Sequence, residues 1–314
     1  MKVLIVTDKY AMSHDISNGY RVGMAFASLG HEVCFTSPEM ASTRAGEADF
    51  ILGFGSLLYS HRLFLNEWIA KAKKPETKFA IWHFDSCSEI DKTNQMRNKN
   101  IKKIIPYLDL LITTDHSYPW ENHIGNYLHL YQGIDPEDFK YKPGNNKERP
   151  YDVIYTGGIN EREPERNRTL KRIGQEFGLV IHTQSKKVRQ DGLQKITLKA
   201  DVYGKEFFNA YQKAKIAFVP RPPSAVKTDY WSNRIYMATA TGTSCVVEYV
   251  NGLEKEFTAF KEVVYTFDDK DNIDKIRFLL ADPELRAKLG RNARKRTLEN
   301  YKYSDRVKKI LEVL

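Results

Sequence analysis

The segment SNRIYMATATG, residues 232–242, contains the signals that decide the architecture of this 314-residue chain. Ser232 or Asn233 suits the N-cap of a helix, and Gly242 suits the position just past a helix end. The segment therefore predicts a short helix that begins at a cation, Arg234, and then leads into a strand. A helix start presents free N–H groups and a partial positive charge. Arg234 at that point predicts a binding site for a diphosphate.

Strand and helix signals alternate along the first half of the chain. This half begins with an apolar strand over 2–7, a polar loop and a helix over about 21–29. Such alternation is typical of a parallel sheet with helices on both faces. The other strands predicted in this half lie at 31–36, 49–53, 78–84, 108–113 and 127–131.

The stretch YKPGNNKERP, residues 141–150, is the most linker-like in the chain, because proline, glycine, asparagine and charged residues replace apolar ones there. We therefore predict two domains, over 1–145 and 146–314. A charge-rich helical tail over 271–314 is predicted to be interrupted at Gly290. The predicted fold class is α/β, with two Rossmann-like domains facing a central cleft that binds the ligand. Strands of the second half are predicted at 151–156, 180–183, 196–198, 216–220, 243–247 and 263–267.

The composition is that of a globular protein with an excess of cations. The chain has 49 lysine and arginine residues against 40 acidic ones, a formal net charge of +9. That excess favours an anionic partner such as nucleic acid, an acidic membrane surface or a polyanionic substrate, although many basic enzymes bind none of these. No apolar run reaches the roughly 18 residues of a membrane helix. The three cysteines form neither a metal spacing nor a disulfide framework. With no leader before the first strand, we expect a cytoplasmic protein.

Several motifs, taken in order, resemble those of GT-B glycosyltransferases and of their CgeB-type group in particular. The donor-binding helix of that group usually reads Arg-x-Tyr-Glu-x-x-Ala-x-Gly, and residues 234–242 follow this pattern except at one position. The resemblance covers nearly the whole chain. It implies a glycosyltransferase that uses a nucleotide-activated sugar, UDP-linked, and needs no essential metal. The other matching segments are 30–33, 131–139, 151–158, 253–257, 281–286 and 303–306.

Met237 is the departure from the family pattern, since it stands where the family has a glutamate for the nucleotide ribose. A thioether is too weak an acceptor to replace that carboxylate. Three alternatives stay open. Glu254 or Glu248 could bind the ribose, the donor could be held differently, or the chain could be a non-catalytic protein that binds nucleotide-sugars or carbohydrates.

Further donor-binding residues are predicted after the strand at 151–156. Gly157 and Gly158 would let the backbone approach a ligand closely. The segment that they end, followed by Arg162 and Arg166, is similar to the corresponding loop of phage DNA β-glucosyltransferases. That similarity implies that both arginines bind the UDP diphosphate. Glutamates lie among these arginines, so a solvated face of ion pairs is the alternative.

The segment WHFDS, residues 82–86, ends the fourth predicted strand and is the predicted catalytic segment. Polar groups at the carboxyl end of a strand face the ligand in an open α/β sheet. Asp85 is predicted to be the general base that takes a proton from the acceptor hydroxyl, as is the aspartate at a similar position in phage DNA glucosyltransferases. A helix N-cap is the structural alternative for Asp85. His83 is the rival base, and Asp115 and His116 are further candidates.

The acceptor that we predict first is a 5-hydroxymethylated pyrimidine in phage double-stranded DNA. Positive charge, small size and the similarity at Arg162 and Arg166 motivate this prediction, although charge runs are usually solvated faces. The alternative within enzymes is a CgeB-type transferase acting on a surface glycan, a protein or a small molecule. Basic groups recur at 71–74, 99–103 and 186–189. Aromatic residues expected in loops, where they could stack on a sugar or a base, are Tyr118, Trp120, Tyr230 and Trp231.

Overall fold

The computed structural model describes residues 1–8, 17–87, 92–115, 117–143, 149–159, 163–184, 196–222 and 228–314. Contacts within the chain divide it into two compact units. The first comprises residues 1–135, 227–230 and 302–314, and the second comprises residues 136–226 and 231–301. In the described part of the chain, no helix combines the length and the apolar character that crossing a membrane requires.

The first unit is built on a sheet of six parallel strands. They are β1 (Lys2–Val6), β2 (Glu32–Thr36), β3 (Phe50–Phe54), β4 (Lys78–His83), β5 (Leu110–Thr113) and β6 (Tyr127–His129). Their order in the sheet is β2-β1-β3-β4-β5-β6. Ile5 of β1 lies opposite Phe35 of β2 and Leu52 of β3. Parallel strands need crossover connections, which explains why helices cover both faces and why the strands are apolar on both sides.

Five helices flank this sheet and form a separate apolar core on each face. They are α1 (Asn18–Ser28), α2 (Ala41–Arg44), α3 (Leu63–Ala72), α4 (Lys92–Ile104) and α10 (Tyr303–Leu311). On one face, α2, α3 and α4 bury residues such as Leu65, Ile69 and Ile101 against the sheet. On the other face, α1 and α10 bury Phe26 and Val307.

The position of α10 differs from the predicted division of the chain, which assigned everything after residue 145 to the second domain. Tyr303, Val307 and Ile310 recur at helical spacing and are buried in the core of the first unit. The Tyr303 hydroxyl also donates to Asn18 Oδ1 at 2.9 Å. The last helix therefore belongs to the first unit because its apolar stripe is buried there.

The second unit repeats the parallel architecture. Its strands are β7 (Tyr151–Thr156), β8 (Leu179–His182), β9 (Ile196–Lys199), β10 (Ala214–Val219), β11 (Ser244–Glu248) and β12 (Val264–Thr266). Their order is β12-β11-β10-β7-β8-β9. The strand order reverses between β7 and β10, the point where ligands bind in open sheets of this kind. The predicted α/β class with two parallel sheets is confirmed.

The helices of the second unit include the short one predicted from residues 232–242. They are α5 (Pro164–Glu176), α6 (Gly204–Gln212), α7 (Arg234–Ala240), α8 (Asp269–Ala281) and α9 (Pro283–Asn300). The helix α7 begins at Arg234, as predicted, and Gly242 follows it with a φ of 77°. The interruption predicted at Gly290 is wrong, since α9 runs through that residue unbroken.

Candidate active site

Gly157 is the first residue after β7, and its backbone makes room for an arginine. Its φ of 140° lies in a region that residues with a Cβ rarely adopt. Its N–H donates to His182 O at 2.9 Å, which fixes the turn to the neighbouring strand. A Cβ at this position would overlap the guanidinium of Arg234. Gly157 is therefore required where it stands because Arg234 packs directly against the backbone.

Arg234 is held by the ring of Tyr155. Its Cζ lies 5.1 Å from the ring centroid, a cation–π geometry. The buried Tyr155 is itself fixed, because its hydroxyl donates to Gly158 O at 3.1 Å. Among the residues that the structure describes, no carboxylate forms an ion pair with Arg234. The guanidinium is thus oriented at the end of β7 with its charge left for an anionic ligand.

The tyrosine of the motif anchors α7. Trp231 Nε1 donates to Tyr236 Oη at 3.0 Å, and that hydroxyl donates to Glu256 Oε2 at 3.2 Å. Trp231 and Tyr236 are both buried. The helix is also held through Thr239, whose Oγ1 lies 2.7 Å from Thr297 Oγ1 of α9. These bonds fix the helix that positions Arg234, so the role of Tyr236 in the described structure is to support the site.

Two carboxylates were candidates to replace the missing glutamate at Met237, and the structure separates them. Glu248 Oε2 accepts from Arg221 N at 3.0 Å, and its Oε1 accepts from Asn272 Nδ2 at 2.9 Å. Glu248 therefore connects β11 to the segment after β10 and to α8. Glu254 is exposed and accepts a bond of 2.9 Å from the hydroxyl of Tyr249. Of the two, Glu254 has the carboxylate more open to a ligand.

Glu254 lies in a single turn of 3-10 helix, Leu253–Lys255, which begins after Gly252 in the left-handed conformation with a φ of 88°. The hydrogen bond from its own backbone N–H, opposed by partial burial and helped by the Tyr249 hydroxyl, lowers the pKa of the Glu254 carboxyl. The group is therefore an anion at neutral pH, suited to accept hydrogen bonds from ribose hydroxyls.

Arg166 of α5 lies in a different setting from Arg234. Its side chain is only 9% exposed and pairs with Glu163 at 2.5 Å, while its Nε has no hydrogen-bond partner in the described part of the chain. It lines a cavity of about 690 Å³, which Arg221 and Phe267 also line. Neither Gly157 nor Arg234 is among the described residues of that cavity. Within the described part of the chain, Arg166 and Arg234 therefore do not line the same cavity. Arg162 lies outside the described residues.

The neighbouring arginines form ion pairs with a carboxylate, which was the alternative to phosphate binding in the sequence analysis. Arg168 and Arg172 lie 3.4 and 3.3 Å from Asp269 Oδ2. Thr169 Oγ1 donates to the other oxygen of Asp269 at 2.5 Å. Burial opposes the ionisation of Asp269, but these donors outweigh it and lower its pKa. This network joins α5 to the start of α8 on the surface of the unit.

In the first unit, the two candidate bases have opposite surroundings. His83 ends β4 and is 2% exposed, and neither of its ring nitrogens has a hydrogen-bond partner among the residues that the structure describes. Burial lowers the pKa of His83, so its imidazole is neutral at neutral pH. Asp85 is exposed and lies 3.1 Å from Arg97 of α4. Both lie at the carboxyl end of β4, where the sequence placed them. Residues 88–91, which bear on the N-cap alternative for Asp85, lie outside the described residues.

Asp115 is a structural residue in the described protein. Its Oδ2 accepts from Ser86 Oγ at 2.6 Å and from Cys87 N at 2.8 Å, and its Oδ1 accepts from Ser117 N at 2.8 Å. The carboxylate is buried and holds together the loops that follow β4 and β5. His116, the candidate beside it, lies outside the described residues.

Three of the four aromatic residues expected in loops are buried. Trp120, Tyr230 and Trp231 pack in the interior, and Tyr118 is half-buried with Lys102 Nζ 4.7 Å from its ring centroid. Large exposed aromatic residues occur instead on and before α3, at Tyr59, Phe64 and Trp68. The signal for them was available, because Phe64 and Trp68 lie four apart and alternate with the buried Leu65 and Ile69. Residues 186–189 lie outside the described residues.

The described residues include no group of three or more histidine, cysteine, aspartate or glutamate side chains that could hold a metal ion. The expectation that no metal is essential stays a prediction.

Comparison with known proteins gives one family match and many structural ones. Residues 163–312, which include most of the second unit and the helix α10 of the first, match a family model described as glycosyl transferase-like. A search of curated protein sequences finds no match. Over 99% of the chain, the fold is similar to sucrose-phosphate synthase from Thermosynechococcus elongatus, with a TM-score of 0.74, 12% identity and 98% of that chain covered.

Two further solved structures match the chain over its whole length, each at 12% identity. An alpha-glucosyltransferase, solved with UDP and a 13-mer DNA containing a central A:G mismatch, has a TM-score of 0.71 and is covered over 98% of its length. Anabaena Alr3699/HepE, solved with UDP and glucose, has a TM-score of 0.67 and is covered completely. At this identity the neighbours establish the GT-B fold, and the family match supports the glycosyltransferase class predicted from the sequence. The matched model does not bear on the CgeB-type group, which stays a prediction.

Proposed function

We propose that this protein transfers a sugar from a nucleotide-activated donor, UDP-linked, to a hydroxyl group of its acceptor. The observation that supports this best is the unneutralised guanidinium of Arg234, held between Tyr155 and the backbone of Gly157 at the end of β7. It lies in the unit whose residues match a glycosyltransferase family. Two structural neighbours with UDP bound support the choice of nucleotide.

In this proposal the second unit binds the donor and its leaving group. Arg234 would hold the diphosphate by two parallel N–H bonds and stabilise the charge that develops as the glycosidic bond breaks. The backbone at Gly157 and Gly158 would approach the phosphates, and Glu254 would accept the ribose hydroxyls. Arg166 would act in donor binding only by giving up its bond to Glu163, and Arg162 is retained from the sequence similarity.

The first unit would supply the base that removes the proton of the acceptor hydroxyl. Asp85 is the first candidate because its carboxylate is exposed at the end of β4, 3.1 Å from Arg97. His83 is neutral, and no described residue forms a hydrogen bond with its ring nitrogens, so it could also accept a proton. Its burial means that a substrate would first have to reach it.

For the acceptor, we propose a 5-hydroxymethylated pyrimidine in double-stranded DNA, as in phage genome modification. The support is the alpha-glucosyltransferase neighbour solved with DNA, together with the net charge of +9. The second candidate is a surface glycan, a protein or a small molecule, which the sucrose-phosphate synthase neighbour favours. Met237 keeps a third possibility open, a protein that binds a nucleotide-sugar without transferring it.

The test is glycosyl transfer from a panel of UDP-sugars to duplex DNA with and without 5-hydroxymethylcytosine, followed by mass analysis of the digested nucleosides. A sugar adduct on the modified base alone would support both donor and acceptor. UDP release with a different acceptor, and no adduct on DNA, would reject the DNA proposal and keep the transferase. No UDP release from any donor would reject the proposed activity. The Arg234→Ala protein is the control for release that is independent of the site.

A further inference from the structure

The outer face of α3 and α4 presents aromatic side chains to solvent where a helix of a globular domain usually presents polar ones. Phe64 and Trp68 are 50% and 53% exposed, and Met96 of α4 is 52% exposed. The rings of Phe64 and Trp68 pack edge to face with their centroids 4.9 Å apart. We call this surface the α3–α4 face. A contiguous cluster of exposed apolar side chains often marks an interaction site, whereas single scattered ones do not.

The two helices lie side by side, so their exposed residues form one surface. Both cover the same side of the first sheet, where Ile69 of α3 and Ile101 of α4 share one apolar core. The exposed positions of α3 are Phe64, Trp68 and, one turn further, Lys71 and Ala72. Because the buried side of each helix faces the sheet, the exposed sides point away from it together.

On α3 the charge of Lys71 is matched by Glu67, 2.6 Å away, so the positive charge of this surface comes from α4. Helix α4 reads KTNQMRNKNIKKI and contains five cations and no acidic residue. Lys92, Lys99 and Lys103 are exposed at spacings of seven and four from one another, on the side of Met96. The apolar cluster is therefore bordered by cations whose charge is not cancelled within the helix.

We propose that the α3–α4 face binds the surface of an anionic lipid bilayer, with Phe64, Trp68 and Met96 inserted at the level of the headgroups. Tryptophan and phenylalanine lose apolar exposure at such an interface, while lysines beside them contact lipid phosphates. Duplex DNA would satisfy the lysines, but its accessible phosphates give an exposed Phe–Trp pair no apolar contact. The inference does not rest on the proposed activity, since a protein that only binds sugars would present the same face.

The chain contains a built-in probe for this proposal. It has four tryptophans, and the other three, Trp82, Trp120 and Trp231, are buried. Fluorescence that changes on contact with lipid therefore reports on Trp68. When the full chain is mixed with vesicles of phosphatidylcholine and phosphatidylglycerol, we expect the tryptophan emission to shift to the blue. Brominated lipid in the same vesicles should quench that emission. Vesicles of phosphatidylcholine alone should give little of either.

Three variants separate the contributions of the apolar side chains and of the lysines to lipid binding, measured by vesicle sedimentation at low salt. Phe64→Ser/Trp68→Ser should weaken binding by about tenfold or more, from lost apolar burial. Lys99→Gln/Lys103→Gln should weaken it by about fivefold for each cation removed, and high salt should mimic this change. Phe278→Ser/Lys288→Gln alters an exposed aromatic residue and an exposed lysine of the second unit, and it should bind as the parent does.

Several results would overturn the proposal. One is absence of binding to phosphatidylglycerol vesicles, and another is binding that neither variant of the face weakens. A third is duplex DNA binding that Lys99→Gln/Lys103→Gln weakens, in a protein that does not bind vesicles, which would make this a nucleic-acid surface. A dimer in solution that Phe64→Ser/Trp68→Ser dissociates, again without vesicle binding, would make it a contact between two copies. The circular dichroism of each variant verifies that it is folded.

Discussion

At the scale of single residues, Arg234 is where charge and geometry coincide. Removing its guanidinium would take away one charged partner of the donor diphosphate. We therefore expect Arg234→Ala to weaken UDP binding by about 1.5–3 kcal/mol, the range for a hydrogen bond to a charged group, as measured by titration calorimetry. Arg277→Ala is the matched control, because Arg277 is an exposed arginine of the same unit paired with Glu176 and Asp274. Unchanged UDP affinity in folded Arg234→Ala would remove Arg234 from the donor site.

A second prediction at this scale concerns the base. Asp85→Asn keeps the shape of the side chain and removes its ability to take a proton, so transfer should fall by roughly a hundredfold while UDP affinity is unchanged. Initial-rate kinetics and calorimetry measure the two quantities. Activity that survives Asp85→Asn but is lost in His83→Gln would assign the base to His83. Because His83 is buried, the fold of that variant must be verified by circular dichroism.

At the scale of elements, the close approach of α9 to the turn after α7 depends on one glycine. A Cβ at Gly290 would overlap the backbone carbonyl oxygen of Gly242 and lie 3.4 Å from Ser244 N. Alanine favours a helix by about 1 kcal/mol over glycine, which alone would stabilise α9. The overlap is with backbone and cannot be relieved by a side-chain rotation. The free-energy cost of pushing α9 away from the turn at Gly242 should therefore exceed the gain in helix propensity.

We therefore expect Gly290→Ala to lower the free energy of unfolding by about 1–3 kcal/mol in urea titrations. Lys288→Ala, at an exposed position of the same helix, should change it by less than about 0.5 kcal/mol. A Gly290→Ala protein at least as stable as the parent would show that α9 can shift away from Gly242 without loss. The result also bears on the site, since α9 contacts the helix that begins with Arg234.

At the scale of the whole molecule, two histidines make stability depend on pH. Burial lowers the pKa of both His83 and His182, although the Ala200 carbonyl 2.7 Å from His182 Nδ1 opposes the effect there. The unfolded chain takes up a proton at each near the ordinary pKa of about 6.5, and the folded chain does so only at a lower pH. The unfolded state thus binds more protons below that pH, so the free energy of unfolding should fall as pH decreases from about 7 to 5.

Urea titrations across this range measure the slope. His83→Gln cannot be protonated, so its slope should be shallower by up to about 1.4 kcal/mol per pH unit. His61→Gln, which alters an exposed histidine, should leave the slope of the parent. Equal slopes for all three proteins would mean that His83 is protonated in the folded state as readily as in the unfolded one.

The sequence by itself determined the α/β class, the positions of the strands and the features around Arg234. Strands buried on both faces are continuous apolar runs, and these are local signals that need no knowledge of their neighbours. The start of α7 at Arg234 and the glycines 157 and 242 could likewise be read locally, because a helix end and a positive φ restrict the residue at one position.

The tertiary structure decided which side chains are available. It buried Trp120, Tyr230 and Trp231, which the sequence placed in loops, and exposed Trp68, which lies in an ordinary helical pattern. It also placed α10 in the first unit and gave Asp115 three donors from two loops. Each of these outcomes depends on contacts between residues far apart in the chain. Burial and hydrogen-bond partners arise only when such segments pack together, so no local pattern contains them.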